Sequence, residues 1–430
     1  MNQPTRPIRI GNLACVLVTL SALLAGCAAP AGGGAAATPA SPPPAAPVAP
    51  PAPPPPPPPL VAVPFAEAVA KAGEKLFADA SQAVGSDKRV LVVDPLVDAS
   101  TGQQNEATAE MGQRLTSLVR GAHPYWTLQE FNRNSLAAQP LLLIGTLTAI
   151  NTKNDKEATA DAYRICLRVI DLRTNRVVAK GLTRATVETV NAEPLPVFRD
   201  SPTWHKDDTV NGYIKSCQGT PNVGDVIDAT YIRQLPAAAL INEAQVAFGE
   251  KRLADALKLY REAAVMADPD DLRVLNGMYL ANWRLGKRRE AGDVFKKIAA
   301  RGIAHKQLPL KVLFTPARAT PLAVADLNAQ YALWMREVAQ AATQVDGCLR
   351  VVGHTSRTGA ASVNDTLSEQ RAAYVKGRLE SGSAKLRGRV ASAGVGSRET
   401  LVGLGTDDLR DALDRRVEFR VVECAAGTTK

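Results

Sequence analysis

Hydrophobic and polar positions divide this chain into segments with distinct periods. A largely apolar run from Leu13 to Leu24 follows Arg6 and Arg9; it is too short to span a bilayer comfortably and predicts an export leader. Residues 28–63 are almost wholly Ala, Gly and Pro and end in prolines from Pro53 to Pro59. Such a stretch cannot bury a core and predicts extended polyproline II; roughly 35 residues at about 3.1 Å each reach ~100 Å at most. From Pro64 to about Pro236 buried runs alternate with helical periods. Arg89–Asp98 (RVLVVDPLVD) predicts a buried strand, and Ala107, Met111, Leu115 and Leu118 mark one face of a helix near Asn105–Val119. Leu141–Ile150 (LLLIGTLTAI) predicts a second buried strand. Tyr163, Ile165, Leu167 and Val169, alternating with Arg164, Cys166 and Arg168, predict a half-exposed one. Asp171–Arg176 supplies a turn, and Val177–Lys180 begins the return strand.

Residues 237–302 read as helical. Ala256 with Tyr260 and Ala291 with Phe295 pair a small with a bulky residue one turn apart, so that two helices can pack closely. After residue 306 the period changes again. Leu310–Thr315 predicts a strand, and Leu327, Tyr331, Trp334, Val338, Ala341 and Val345 trace the core face of a long helix. Cys348–Gly353 reads as a strand feeding the loop His354–Gly359, followed by a helix over Asn364–Leu379. A strand at Arg389–Ala393, a glycine-rich loop and a strand at Arg415–Cys424 complete the series. The fold class expected is multidomain α/β and α+β. It comprises a leader (1–26), a linker (27–63), a mixed-sheet α/β domain (64–236), a short helical repeat (237–302), a βαβαββ domain (306–424) and a tail (425–430).

Composition changes this picture little: 46% hydrophobic and 22% charged residues are ordinary for globular domains. The net charge is +9, of which the leader carries off Arg6 and Arg9. A basic excess favours a polyanionic partner such as an anionic glycan or lipid surface, against a default of a solvated basic surface. No run of Lys and Arg interleaves with aromatics, so a nucleic-acid partner is not expected. The histidines His123, His205, His305 and His354 lack metal-ligand spacing, and neither G-x-S-x-G nor a P-loop occurs. Neither an enzyme nor a cofactor is expected. Export would place the cysteines in an oxidising compartment; proximity within domains predicts Cys166–Cys217 and Cys348–Cys424 disulfides. Trp204 and His205 offer either a contact surface or an ordered loop pinned by the Cys217 disulfide.

Four resemblances add function. Leu24-Ala25-Gly26-Cys27 resembles a bacterial lipobox, against the alternative of a plain secretory leader. It implies diacylation of Cys27 and stable anchoring by two or three acyl chains; Ala28 after it implies sorting to the periplasmic face of the outer membrane. The strand and hairpin order over 64–236 resembles the CsgG/TolB-N-terminal-like family, and the 35-residue offset between Ala256 and Ala291 resembles tetratricopeptide repeats. Residues 64–302 would then be a platform for an envelope protein partner.

The strongest resemblance is to the OmpA-like C-terminal domain. It rests on Gly353-His354-Thr355-Ser356, Gly359, Asn364, Leu367-Ser368, Arg371-Ala372, Val375, Gly394-x-Gly396 and Asp414-Arg415-Arg416-Val417. It implies non-covalent binding of the peptidoglycan stem peptide. Arg371 would grip a carboxylate of the diamino acid through its planar fork, with Thr355 and Ser356 in the pocket. Asn364 either orients the stem peptide or caps its helix. Arg415 and Arg416 hold the sheet edge or touch the glycan, one of them being structural; His354 reads as a structural histidine. The family's Asp, which takes the ligand's ammonium, is Ser356 here. That departure implies binding weakened about tenfold or a shifted preference; Asp365 and Glu369 lie near in sequence. A competing expectation is a regulator or assembly factor of a wall synthase or secretion system, with this domain degenerate.

Overall fold

The computed structural model describes residues 60–424 except 86–87, 123–125, 154, 156–157, 205, 220–221, 270, 309, 323–324 and 346. The leader, Cys27, most of the Pro-rich linker, His205 and the tail lie outside the described residues.

Elements run in the order β1 (Ala62–Val63), α1 (Phe65–Val84), β2 (Arg89–Val93), β3 (Val97–Asp98), α2 (Glu106–Ala122), β4 (Trp126–Gln129), α3 (Arg133–Ala137), β5 (Leu141–Ile150), β6 (Ala162–Asp171) and β7 (Arg176–Thr186). Then come α4 (Pro196–Asp200), α5 (Asp208–Gln218), α6 (Ala229–Gly249), α7 (Leu253–Met266), α8 (Leu272–Arg284) and α9 (Arg288–Ala304). The chain closes with β8 (Gln307–Leu308), α10 (Ala325–Ala342), β9 (Cys348–Gly353), α11 (Ala361–Gly382), β10 (Val390–Gly394) and β11 (Val417–Val422).

The first sheet has strand order β1-β7-β6-β5-β2-β4, with β3 also paired to β5. Strands β5, β6 and β7 form an antiparallel meander, to which β1, β2, β3 and β4 attach in parallel. Alternation decides the layers. On β5, Leu141, Leu143 and Leu147 join the core under α1 and α2, while Leu142 and Ile144 join the core under α5 and α6. A strand buried on both faces reads as a continuous apolar run, which is what Leu141–Ile150 is. Strand β6 is covered in the same way, contrary to the half-exposed expectation. Arg168 is buried with Nη1 donating to the Leu167 carbonyl at 2.9 Å, and Arg164 donates to Gln218 of α5 at 2.6 Å. Its arginines are locally bonded under α5, so their charge does not report exposure. The run at Arg89–Asp98 is two short strands because Pro95 interrupts the ladder.

The boundary expected at 236/237 falls inside α6, which carries Pro236 in its interior. Along α7 and α8, Gly277 lets the Tyr260 ring lie against the α8 backbone. Tyr260, Tyr279, Phe295 and Trp334 belong to one core cluster that continues into Val351, Val375 and Phe419. Helices α7 to α10 and the C-terminal sheet therefore share a core.

The C-terminal sheet has order β10-β9-β11-β8, with β10 parallel and β11 antiparallel to β9. The strand expected at Leu310–Thr315 is not one. Its side chains are mostly buried, but Lys311 N donates to the Pro202 carbonyl and Phe314 N to that of Arg415, so it serves as a connector; β8 pairs with β11 instead. A disulfide joins Cys348 to Cys424. The Cys166–Cys217 disulfide is not formed. Both are buried free thiols, and the Cys166 sulfur is directed at the Cys217 carbonyl oxygen, 2.7 Å away. Trp204 is buried beneath the Arg416 guanidinium, so it offers no contact surface.

One buried acid makes the fold pH-sensitive. Asp94 accepts from the Tyr231 hydroxyl at 2.5 Å, and burial pushes its pKa up to about 7, opposed by Tyr231 and Arg273. The folded state therefore holds this proton more tightly than the unfolded one. Its stabilising contribution is full below about pH 4 and is lost as pH rises to about 7. Relative to wild type, Asp94→Asn should gain stability across that interval, as read by urea unfolding at pH 4.5 and 7.5; a pH-independent difference would refute the assignment.

Candidate functional site

Close packing of α11 on the sheet builds the site. A side chain at Gly353 would place its Cβ 2.0 Å from the Ser368 carbonyl oxygen, and one at Gly394 would lie 2.4 Å from the Glu369 amide. The glycines let the helix backbone rest on β9 and β10, which brings Arg371 over the end of β9. Beside it opens a cavity of about 620 Å³, lined in part by Thr355, Ser356, Thr358, Asn364, Arg371, Asp407 and Arg415.

Arg371 is fully buried, yet no carboxylate neutralises it. Its Nε donates to the Arg318 carbonyl at 3.1 Å, Nη1 to that of His354 at 2.9 Å and Nη2 to that of Thr315 at 3.1 Å. Phe314 lies under the guanidinium, 5.2 Å from it. Burial and nearby Arg415 pull its pKa down to about 10, with Asp407 opposing, so the group is charged at neutral pH. A guanidinium carries five N–H donors. Three are engaged here, and a planar anion in the cavity can take those that remain.

The other expected residues divide. Thr355 is buried and its hydroxyl has no protein partner, an orphan that a ligand or water would satisfy. Asn364 lines the cavity but does not cap: α11 begins at Ala361 behind an Ala360 N-cap, and the Asn364 amide donates to the Thr358 carbonyl at 3.0 Å, pinning the loop. Arg415 lines the cavity, with Nη1 on Asp411 at 2.8 Å and Nη2 on the Asp408 carbonyl at 3.0 Å. Arg416 is structural: its Nε and Nη2 grip Glu418 at 2.7 and 2.5 Å. His354 is fully buried outside the cavity lining. Burial, then Arg416 and Arg420, push its pKa down to about 2, which keeps it neutral.

Asp365 and Glu369 are engaged elsewhere. Arg398 holds Asp365 at 2.6 Å, and Ser392 donates to Glu369 at 2.6 Å. The acid that does line the cavity is Asp407. It accepts from the Ser356 hydroxyl, and from the Thr358 hydroxyl at 2.5 Å. Sequence reasoning missed it because it lies 51 residues beyond Ser356 in a segment without a strand or helix pattern. The available signal was its place just past Gly403 and Gly405, both at positive φ, and before the Asp414-Arg415-Arg416-Val417 run. Asp414 holds that loop shut by accepting from the amides of Leu401, Val402 and Gly403.

Among the described residues no cluster of His, Cys, Asp and Glu could hold a metal, and no helix is long and apolar enough to cross a membrane.

No family model matches the chain, and no curated protein does. Solved structures resemble parts of it. The peptidoglycan-associated lipoprotein of Burkholderia pseudomallei is 20% identical over 26% of this chain and 88% of its own, with a TM-score of 0.23. The OmpA-like domain of FopA1 from Francisella tularensis is 22% identical over 27% of this chain and 73% of its own, TM-score 0.21. The LpoB C-terminal domain from Salmonella enterica is 16% identical over 28% of this chain and 98% of its own, TM-score 0.20.

Proposed function

We propose that this protein is a lipid-anchored envelope protein that binds peptidoglycan non-covalently, with the stem peptide's diamino acid seated in the Arg371 cavity. The observation that carries the reading is a buried, charged guanidinium that is bonded only to carbonyls and lines an open cavity beside an orphan Thr355 hydroxyl. A buried cation without a counter-ion is costly in a closed protein and useful in one whose ligand brings the negative charge. Attachment at Cys27 through acyl chains, the reach of the Pro-rich linker and the outer-membrane location belong to the same proposal. So does a tethering, non-catalytic role, with residues 64–302 available to a protein partner.

The test blocks the cavity without touching its bonds. Ser362 is an exposed residue on the cavity rim. Wild-type protein should co-sediment with purified sacculi. Ser362→Trp, melting at the same temperature, should lose at least about tenfold in affinity, equivalent to ~1.4 kcal/mol. Equal retention of the two proteins would reject the cavity as the binding site.

A further inference from the structure

We infer that Asp407 is the residue that receives the ligand's ammonium, so that the cavity selects a group carrying an amine and a carboxylate on neighbouring atoms. This rests on the reading proposed above and assigns the specificity of the same site. Replacing the loop acid by Ser356 does not remove negative charge from the cavity; the charge enters from another part of the chain. The Ser356 and Thr358 hydroxyls, 3.0 Å apart, donate to different oxygens of the Asp407 carboxylate. Ser356 therefore acts as the positioning residue for an acid supplied in its place.

The geometry leaves that acid able to act. A carboxylate offers about four acceptor directions, and two are taken by the hydroxyls. The Arg415 guanidinium forms an ion pair with Asp407 Oδ1 at 3.6 Å, too long for a hydrogen bond, and has its closer partner in Asp411 at 2.8 Å. The Asp407 side chain is 36% exposed, whereas the Arg415 side chain is 6% exposed, so an incoming group reaches the acid first. The backbone is committed to this placement. Asp407 sits at φ 56°, a left-handed conformation uncommon for residues other than glycine and more accessible to Asp than to most. Its amide donates to Asp411 Oδ2 at 3.2 Å, which fixes the turn. Arg371, Arg415 and Thr355 line the same cavity, the two arginines supplying positive charge and Thr355 an unpartnered hydroxyl. A pure dianion would meet the Asp407 carboxylate and a pure amine the two guanidiniums; a zwitterionic head satisfies both charges.

The full chain should be titrated by NMR with 2,6-diaminopimelate and with its N,N′-diacetyl derivative, which keeps both carboxylates and loses both ammonium groups. Wild type should prefer the free diamine by about tenfold, the ratio expected for one charged hydrogen bond against a neutral one. Asp407→Asn should bring that ratio to near one, and Ser356→Asp combined with Asp407→Asn should restore it. A merely structural Asp407 would weaken both probes alike and leave the ratio unchanged, which would overturn the inference, as would undiminished discrimination by Asp407→Asn. Sacculus binding separates the two levels. Wild type retained on sacculi without discriminating between the probes sinks this inference alone, while absence of retention sinks the proposed function and this inference with it.

Discussion

Arg371→Ala should release the protein from purified sacculi and lower the stability of the folded chain by about 3 kcal/mol, because the guanidinium serves the ligand and the fold at once. It ties Thr315, at the end of the connector, and Arg318 just beyond it to the His354 carbonyl at the end of β9. Deleting it strands three carbonyl groups, and each buried unsatisfied polar group costs about 1–3 kcal/mol. Water entering from the adjoining cavity should hold the loss near the lower end of that sum. The binding effect is separable. Arg371→Lys keeps the charge but has no planar fork, so it cannot hold three carbonyls and a carboxylate together. It should recover part of the melting temperature and little of the sacculus affinity. A folded Arg371→Ala protein that sediments with sacculi like wild type would end the assignment of this cavity.

Gly353→Ala should be the most damaging single methyl in the C-terminal region. The added carbon would stand 2.0 Å from the Ser368 carbonyl oxygen and 3.2 Å from the Ala372 amide. Both are backbone atoms of α11, so no side chain can rotate away. Relief requires the helix to lift from the sheet, opening the packing of Ala372 and Val375 against Leu349 and Val351. Overpacking usually costs about 1–3 kcal/mol, and a clash with backbone belongs at or above the top of that range. Urea unfolding should show this loss, and sacculus binding should fall as well, since α11 carries both Asn364 and Arg371. Wild-type stability in the variant would mean that α11 does not lie on Gly353.

Much of this architecture was legible from periodicity and local motif. Strand β5 matches the apolar run Leu141–Ile150, and β9 matches Cys348–Gly353. Arg371 was legible too, through its place in the motif with Leu367-Ser368 and Val375. These features depend on residues close in sequence, and short-range sterics and side-chain period are written in the chain itself.

Tertiary structure alone decided the rest. Whether the arginines of β6 were exposed depended on α5 covering a second face of the sheet, a contact between segments far apart in the chain. Leu310–Thr315 has a strand's composition, but its backbone partners lie in the 202 and 415 segments, so it became a connector. Packing brings Cys166 and Cys217 together, with the Cys166 sulfur 2.7 Å from the Cys217 carbonyl oxygen, yet both remain free thiols. The carboxylate of the site came from Asp407, placed by a turn at positive φ and held by hydroxyls 51 and 49 residues away. Electrostatic complementarity acts through space, so a charge missing from a motif can be restored by any segment that the fold brings within reach.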